Sequence, residues 1–199
     1  MMHNRLTPEM LLYGYQIGAF PMAEDRDSDA VQWFAPDPRA VLPLDDFHVS
    51  KTLAKLVRQN KFEIATDRDF EGVMHACAER NETWISDEII RSYVALHEMG
   101  YAHTIECWRA GQMVGGLYGV AIGGAFFGES MFHRERDASK VALVHLVRCL
   151  NENGYVLLDT QFTTSHLEKF GVIEIPRMDY EKQLEVALQK QVKPWKLPL

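Results

Sequence analysis

The order of elements legible in this 199-residue chain predicts an α/β fold with one mixed sheet, flanking helices and a small amino-terminal part. Two observations carry the prediction. From residue 102 onward three strand-like runs follow one another with no helix between them. Strand and helix patterns then alternate, giving β-β-β-α-β-α-β, and consecutive strands followed by alternation indicate a mixed sheet. The length suits one domain with at most a small appendage, and it is enough to bury a proper core.

Taken in order, Thr7-Pro8-Glu9 starts a helix: a capping hydroxyl, proline in the first turn, then an acid. Leu11, Leu12 and Tyr15 give it an apolar face, and Gly18 can end it. "AEDRDSDA" (23–30) is a polar loop, and "VQWFAPDPRAVLPL" is extended chain broken by Pro36 and Pro38. Composition shifts here, which sets the expected division into a subdomain of residues 1–35 and a main domain of 36–199. Ser50 caps the helix "KTLAKLVRQN"; "FEIATD" is a strand and "DFEGVMHACAER" a helix. Ser86-Asp87-Glu88 opens another helix, which Gly100 closes. "AHTIECWR" and "MVGGLYGVAIG" are strands around a turn at 110–112, and Gly123-Gly124 is a hairpin signal before "GAFFGESMF". Asp137 caps the long helix "ASKVALVHLVRCLNEN", closed by Gly154. "YVLLDTQF" is a buried strand with a polar end. Thr164 caps a short helix closed by Gly171, "VIEIPR" is a strand, and a polar helix follows.

Composition narrows the function. No run approaches the roughly 18–20 apolar residues of a membrane span, and "MMHNRLTPEM" lacks the apolar stretch of a signal peptide. Cys77, Cys107 and Cys149 are far apart and odd in number, which reads as three reduced thiols in a cytoplasmic protein. The net charge of −7 argues against nonspecific nucleic-acid binding but leaves room for a local basic patch. The eight histidines show no metal-ligand spacing such as H-x-x-x-H, so no metal site is assigned.

Several residues carry candidate chemistry. Asp159 and Gln161 stand two apart at the end of an apolar strand, so both side chains are expected on one face, either as a polar strand end or as a reactive pair. Glu129 leaves the apolar run "AFFG" as either a solvated strand end or a carboxylate that holds something. Leu117, Phe126, Met131, Leu143, Leu146 and Leu158 are either ordinary core or the lining of an apolar pocket. Lys51, Lys55 and Arg58 form one stripe of a helix, a solvated face or a surface for phosphates. Trp33 and Trp84 are core or stacking platforms.

The element order resembles the acetyltransferase superfamily, whose acyl donor sits between splayed central strands and the long helix. Those enzymes carry R/Q-x-x-G-x-G/A before that helix, where backbone amides cradle the pyrophosphate of coenzyme A. The corresponding turn here is "RERDAS" (134–139), with Asp137 and Ser139 in place of glycines. An aspartate there repels a pyrophosphate, so the donor is expected not to be coenzyme A.

"YQIGAFPM", "WFAPDPRAVLPL", "ETWI", "AHTIECW", "VGGLYGVAIGGAFFGESMF", "ASKVAL" and "LLDTQF" together resemble the bacterial leucyl/phenylalanyl-tRNA–protein transferases, in the family's order over nearly the whole chain. Met22 stands where some members have tryptophan, and the amino-terminal part looks shorter than in the longer members. The resemblance implies transfer of leucine or phenylalanine from Leu-tRNA or Phe-tRNA to the α-amine of proteins beginning with arginine or lysine, tagging them for N-end rule degradation. It implies no metal, no organic cofactor and no membrane, and a monomer is expected. It makes Asp159 and Gln161 a proton-relay pair on the attacking amine and Glu129 the holder of the donor's amino group. It makes the six apolar residues the donor side-chain pocket, Trp84 and Tyr15 contacts for the aminoacyl-adenosine, and Lys51, Lys55 and Arg58 the tRNA surface. The competing readings are a coenzyme-A-dependent N-acetyltransferase and a catalytically silent tRNA-binding protein on the same fold.

Overall fold

A computed structural model describes residues 5–28 and 30–197; the first four residues, Asp29 of the polar loop and the last two residues lie outside it. Helix α1 (Pro8–Gln16) starts as its sequence dictates, with Thr7 Oγ1 accepting from the Met10 amide, and gives way to Gly18 at φ +77°. Strands β1 (Phe20–Ala23) and β2 (Val31–Phe34) pair as a separate two-stranded antiparallel sheet. Then follow β3 (Arg39–Val41), α2 (Lys51–Arg58), β4 (Glu63–Ala65), α3 (Phe70–Ala78), α4 (Asp87–Glu98), β5 (Ala102–Arg109), β6 (Gln112–Ile122) and β7 (Ala125–His133). Helix α5 (Ala138–Asn153), β8 (Leu157–Gln161), a single 3-10 turn (Glu168–Phe170), β9 (Ile173–Ile175) and α6 (Arg177–Leu188) complete the described chain. The main sheet runs β4-β5-β6-β7-β8-β3-β9. Its one parallel pair, β7 with β8, is joined by the crossover helix α5; every other pair is antiparallel. The fold is thus the mixed α/β sheet that the element order predicts.

Alternation along the strands builds two cores. Tyr118, Val120, Ile122 and Phe127 face α1, α3, α4 and α6; Leu117, Ala121, Ile105 and Cys107 face α2 and α5. Each fully buried aliphatic or aromatic side chain contributes about 1.5–3 kcal/mol through removal of apolar surface from water. Two expected caps differ. Ser86 precedes α4 but its hydroxyl makes no capping bond. Asp137 precedes α5 in the left-handed region at φ +66°, and its carboxylate turns to Lys140 at 2.6 Å instead of capping the helix. An ammonium three residues on outcompetes the backbone amides for that charge.

Two local departures from regular sheet open a cleft at its centre. Pairing between β7 and β8 ends at Phe127–Asp159, and beyond it the two strands part. On the other side of β7 the register steps from Gly119–Gly128 to Tyr118–Ser130, leaving Glu129 as the extra residue of a β-bulge. Gly119 lies opposite that bulge, where a Cβ would sit 2.3 Å from the Phe127 carbonyl oxygen. Only glycine lets β6 and β7 approach so closely there.

Candidate active site

The bulge and the parting strands define the site. A cavity of about 520 Å³ opens between β7, β8 and the first two turns of α5. Leu117, Met131, Leu143, Leu146 and Leu158 form an apolar wall, and Trp84, Phe20 and Met22 also line the cavity. Glu129, Gln161 and Thr160 supply polar groups. Sequence reasoning missed Arg80, Tyr118, Ser130, His133, Ser139 and His166 on the lining. Nothing local marks them; only the cleft brings them together.

Glu129 is tied down from below. Its Oε1 accepts from the Tyr15 hydroxyl at 2.7 Å and from Gln161 Nε2 at 3.0 Å, and its Oε2 lies 3.5 Å from the Tyr93 hydroxyl. Tyr15 and Tyr93 also hydrogen-bond to each other. Burial pushes the Glu129 carboxyl up to about 8; the Asp159 charge adds to this, while the tyrosine hydroxyls and Arg39 oppose it. A carboxylate so placed gains most from a cationic group entering the cavity. This corrects the expectation for Tyr15: its side chain is fully buried behind Glu129 and is not on the cavity wall. Tyr118 is fully buried too, and its hydroxyl has no partner among the described residues.

Asp159 and Gln161 do not share a face. Leu158, Thr160 and Gln161 line the cavity, whereas the Asp159 carboxylate is fully buried on the other side of β8. There Arg39 grips it, Nη2 to Oδ2 at 2.6 Å and Nε to Oδ1 at 3.0 Å, and the Tyr180 hydroxyl donates to Oδ2 at 2.7 Å. Strict alternation fails at Gln161 because its backbone sits at φ +59°, in the left-handed region. That twist turns its side chain back toward Glu129. Asp159 holds the twist directly, since its Oδ1 accepts the Gln161 backbone N–H at 2.8 Å. With Nε2 committed to Glu129, the Gln161 amide keeps its carbonyl oxygen as an acceptor.

The remaining sequence candidates divide. Phe126 is not on the wall; its ring is fully buried and stacks on Trp195, 5.4 Å between centroids. Trp33 packs over Gly14 of α1, away from the cavity. Lys51, Lys55 and Arg58 are all exposed on α2, and none forms an ion pair among the described residues. All three cysteines are free and buried, and burial pushes the Cys77 and Cys107 thiols up to about 12 and Cys149 to about 11, so none supplies a thiolate near neutral pH. Asp67, His97 and His103 bring ligand-type atoms within 4.8 Å of one another. These atoms are already engaged: His103 Nδ1 lies 2.8 Å from Asp67 and its Nε2 3.1 Å from the Gly100 carbonyl, and His97 Nδ1 lies 2.7 Å from the Ala102 carbonyl. Among the described residues no helix is long and apolar enough to cross a membrane.

Comparison with known proteins places this geometry in a family. Residues 41–185 match the model for the leucyl/phenylalanyl-tRNA protein transferase, and residues 4–37 match the model for its N-terminal domain. A leucyl/phenylalanyl-tRNA–protein transferase of Ruegeria pomeroyi is 55% identical over 92% of this chain and 87% of its own length. One from Salinibacter ruber is 54% identical over 98% of this chain and 86% of its own. Solved structures match more loosely. L-PGS from Bacillus licheniformis has a TM-score of 0.43 at 12% identity, over 89% of this chain and 62% of that one. A GCN5-related N-acetyltransferase-like protein from Streptococcus suis has 0.38 at 16%, over 84% and 63%. The sequence relatives and both family models agree, and the chain belongs to the leucyl/phenylalanyl-tRNA–protein transferase family.

Proposed function

We propose that this protein transfers leucine or phenylalanine from charged tRNA to the α-amine of proteins whose first residue is arginine or lysine. The observation that carries the reading is the Glu129–Gln161 pair at the floor of an apolar cavity, in a chain of this family. The reaction is aminolysis of an ester. A neutral amine attacks the ester carbonyl, a C–N bond forms, and the C–O bond to the ribose breaks. The donor is already activated, so positioning of the two substrates alone can supply about 7–11 kcal/mol. No nucleophilic side chain is needed, in keeping with three buried cysteines.

In this reading Glu129 binds the donor's α-ammonium, and the wall of Leu117, Met131, Leu143, Leu146 and Leu158 takes its side chain. Phe126 backs the wall from the core. The Gln161 carbonyl oxygen accepts a hydrogen bond from the attacking amine and orients it, and the proton the amine loses passes to the departing ribose oxygen. Asp159 acts as an orienting group through the Gln161 backbone, because its own oxygens are taken by Arg39 and Tyr180. Trp84 stacks on the terminal adenine, and Tyr15 fixes Glu129 from behind. Lys51, Lys55 and Arg58 meet the tRNA backbone. Residues 1–35, with their own two-stranded sheet, act as a subdomain that closes the donor side of the cavity, and the protein works as a cytoplasmic monomer.

The test is incubation with Leu-tRNA or Phe-tRNA and peptides that differ only in the first residue. Transfer to peptides beginning with arginine or lysine is expected. Absence of transfer, or transfer indifferent to the first residue, contradicts the reading.

A further inference from the structure

The first turn of α5 borders the same cavity through Ser139. Ser139, only 3% exposed, lines the cavity, and its hydroxyl makes no hydrogen bond among the described residues. Asp137 does not cap the helix, and the amides of Ser139 and Lys140 have no partner among the described residues. His166 lines the same cavity, and its buried Nε2 also lacks a partner among the described residues. Burial, then the nearby charges of Lys140, Lys169 and His133, hold that imidazole below its usual range. A helix amino terminus favours an anion, and here the Ser139 hydroxyl and the buried, unpaired His166 Nε2 line the same cavity. Burying a polar group without a partner is unfavourable, and a ligand with several acceptor oxygens removes that cost.

We propose that the Ser139 hydroxyl, the open amides of Ser139 and Lys140, and His166 bind the phosphodiester that joins the donor tRNA's terminal adenosine to the preceding nucleotide. The inference rests on the aminoacyl-transfer reading, and it assigns a phosphate site inside the cavity, apart from the basic stripe on α2. Asp137 is the opposing charge. Lys140 at 2.6 Å and Arg136 at 3.5 Å offset it. That balance suits the single charge of a phosphodiester better than the greater charge of a pyrophosphate.

The experiment compares two minimal donors, leucyl-adenosine and leucyl-adenosine carrying a 5′-linked cytidylyl phosphate, with one acceptor peptide. In the wild type the phosphate-bearing donor should show a kcat/KM at least tenfold higher. In Ser139→Ala/His166→Gln the ratio between the donors should fall severalfold toward one. Lys140→Gln, which changes a partly exposed side chain and releases Asp137, should lower the same ratio and serves if the double variant does not fold. Equal use of both donors by the wild type, or a ratio unchanged in the variants, overturns this inference alone. No transfer from either donor by the wild type overturns the aminoacyl-transfer reading and this inference together.

Discussion

Arg39→Met tests whether the buried pair behind the site organises it. Arg39 is 1% exposed and Asp159 0%. Methionine keeps much of the arginine stem's bulk and removes the guanidinium. Asp159 is then left with the Tyr180 hydroxyl and the Gln161 amide, and the Gly18 carbonyl loses the 2.9 Å bond from Arg39 Nη1. Removing one partner of a buried ion pair costs about 3–5 kcal/mol because the other charge stays buried. Against a typical total of about 5–15 kcal/mol, that is a large loss. In urea, with a slope near 2–3 kcal/mol/M, the unfolding midpoint should drop by about 1–2 M. Arg39→Met/Asp159→Leu removes both charges and should recover at least half of the loss, since apolar replacement of a whole pair is often neutral. An unchanged midpoint for Arg39→Met, or a double variant as unstable as the sum of the two singles, refutes the reasoning.

Three further outcomes are expected. Glu129→Gln should gain stability relative to wild type as pH rises from 5 to 8, because the folded protein holds a proton up to about 8 that the unfolded chain releases near 4.5. Glu129 still meets the cavity, so the gain is about 1–3 kcal/mol rather than the full shift; equal midpoint differences at both pH values refute it. Neutralising Lys51, Lys55 and Arg58 together should weaken tRNA binding and reduce the salt slope by about 2–3 units, while transfer from leucyl-adenosine persists; wild-type binding would make the stripe a solvated face. Leu146→Phe should reduce phenylalanine transfer more than leucine transfer, whereas equal loss with lower thermal stability would indicate core packing alone.

Patterns of periodicity and punctuation were legible in the sequence. Helix α5 runs from just after Asp137 to just before Gly154, and β5, β6 and β7 occupy the three runs read as strands. Glu129 and Gln161 were legible as candidates because a carboxylate and an amide close apolar strands. Their geometry was not. Alternation puts Asp159 and Gln161 on one face, and only a positive φ at Gln161 sends them to different sides. A bulge at Glu129 depends on pairing with β6, which residue spacing does not reveal. Arg39 lies 120 residues from Asp159, between two prolines and an apolar strand, and no local signal marks a buried cation there. Tyr15 shows the same limit: its helical spacing marks it as apolar face, which it is, while its hydroxyl reaches a carboxylate 114 positions away.

The most direct test of the account is whether Glu129 reads the donor's amino group. Wild type and Glu129→Gln are given leucyl-adenosine or its des-amino analogue, 4-methylpentanoyl-adenosine, with a peptide beginning with arginine, and single-turnover transfer is measured. The account predicts that wild type prefers the amine-bearing donor by about 10–100-fold, the value of a charge-assisted contact of about 1.5–3 kcal/mol, and that Glu129→Gln loses most of that preference. Equal use of both donors by the wild type, or an undiminished preference in Glu129→Gln, would contradict it.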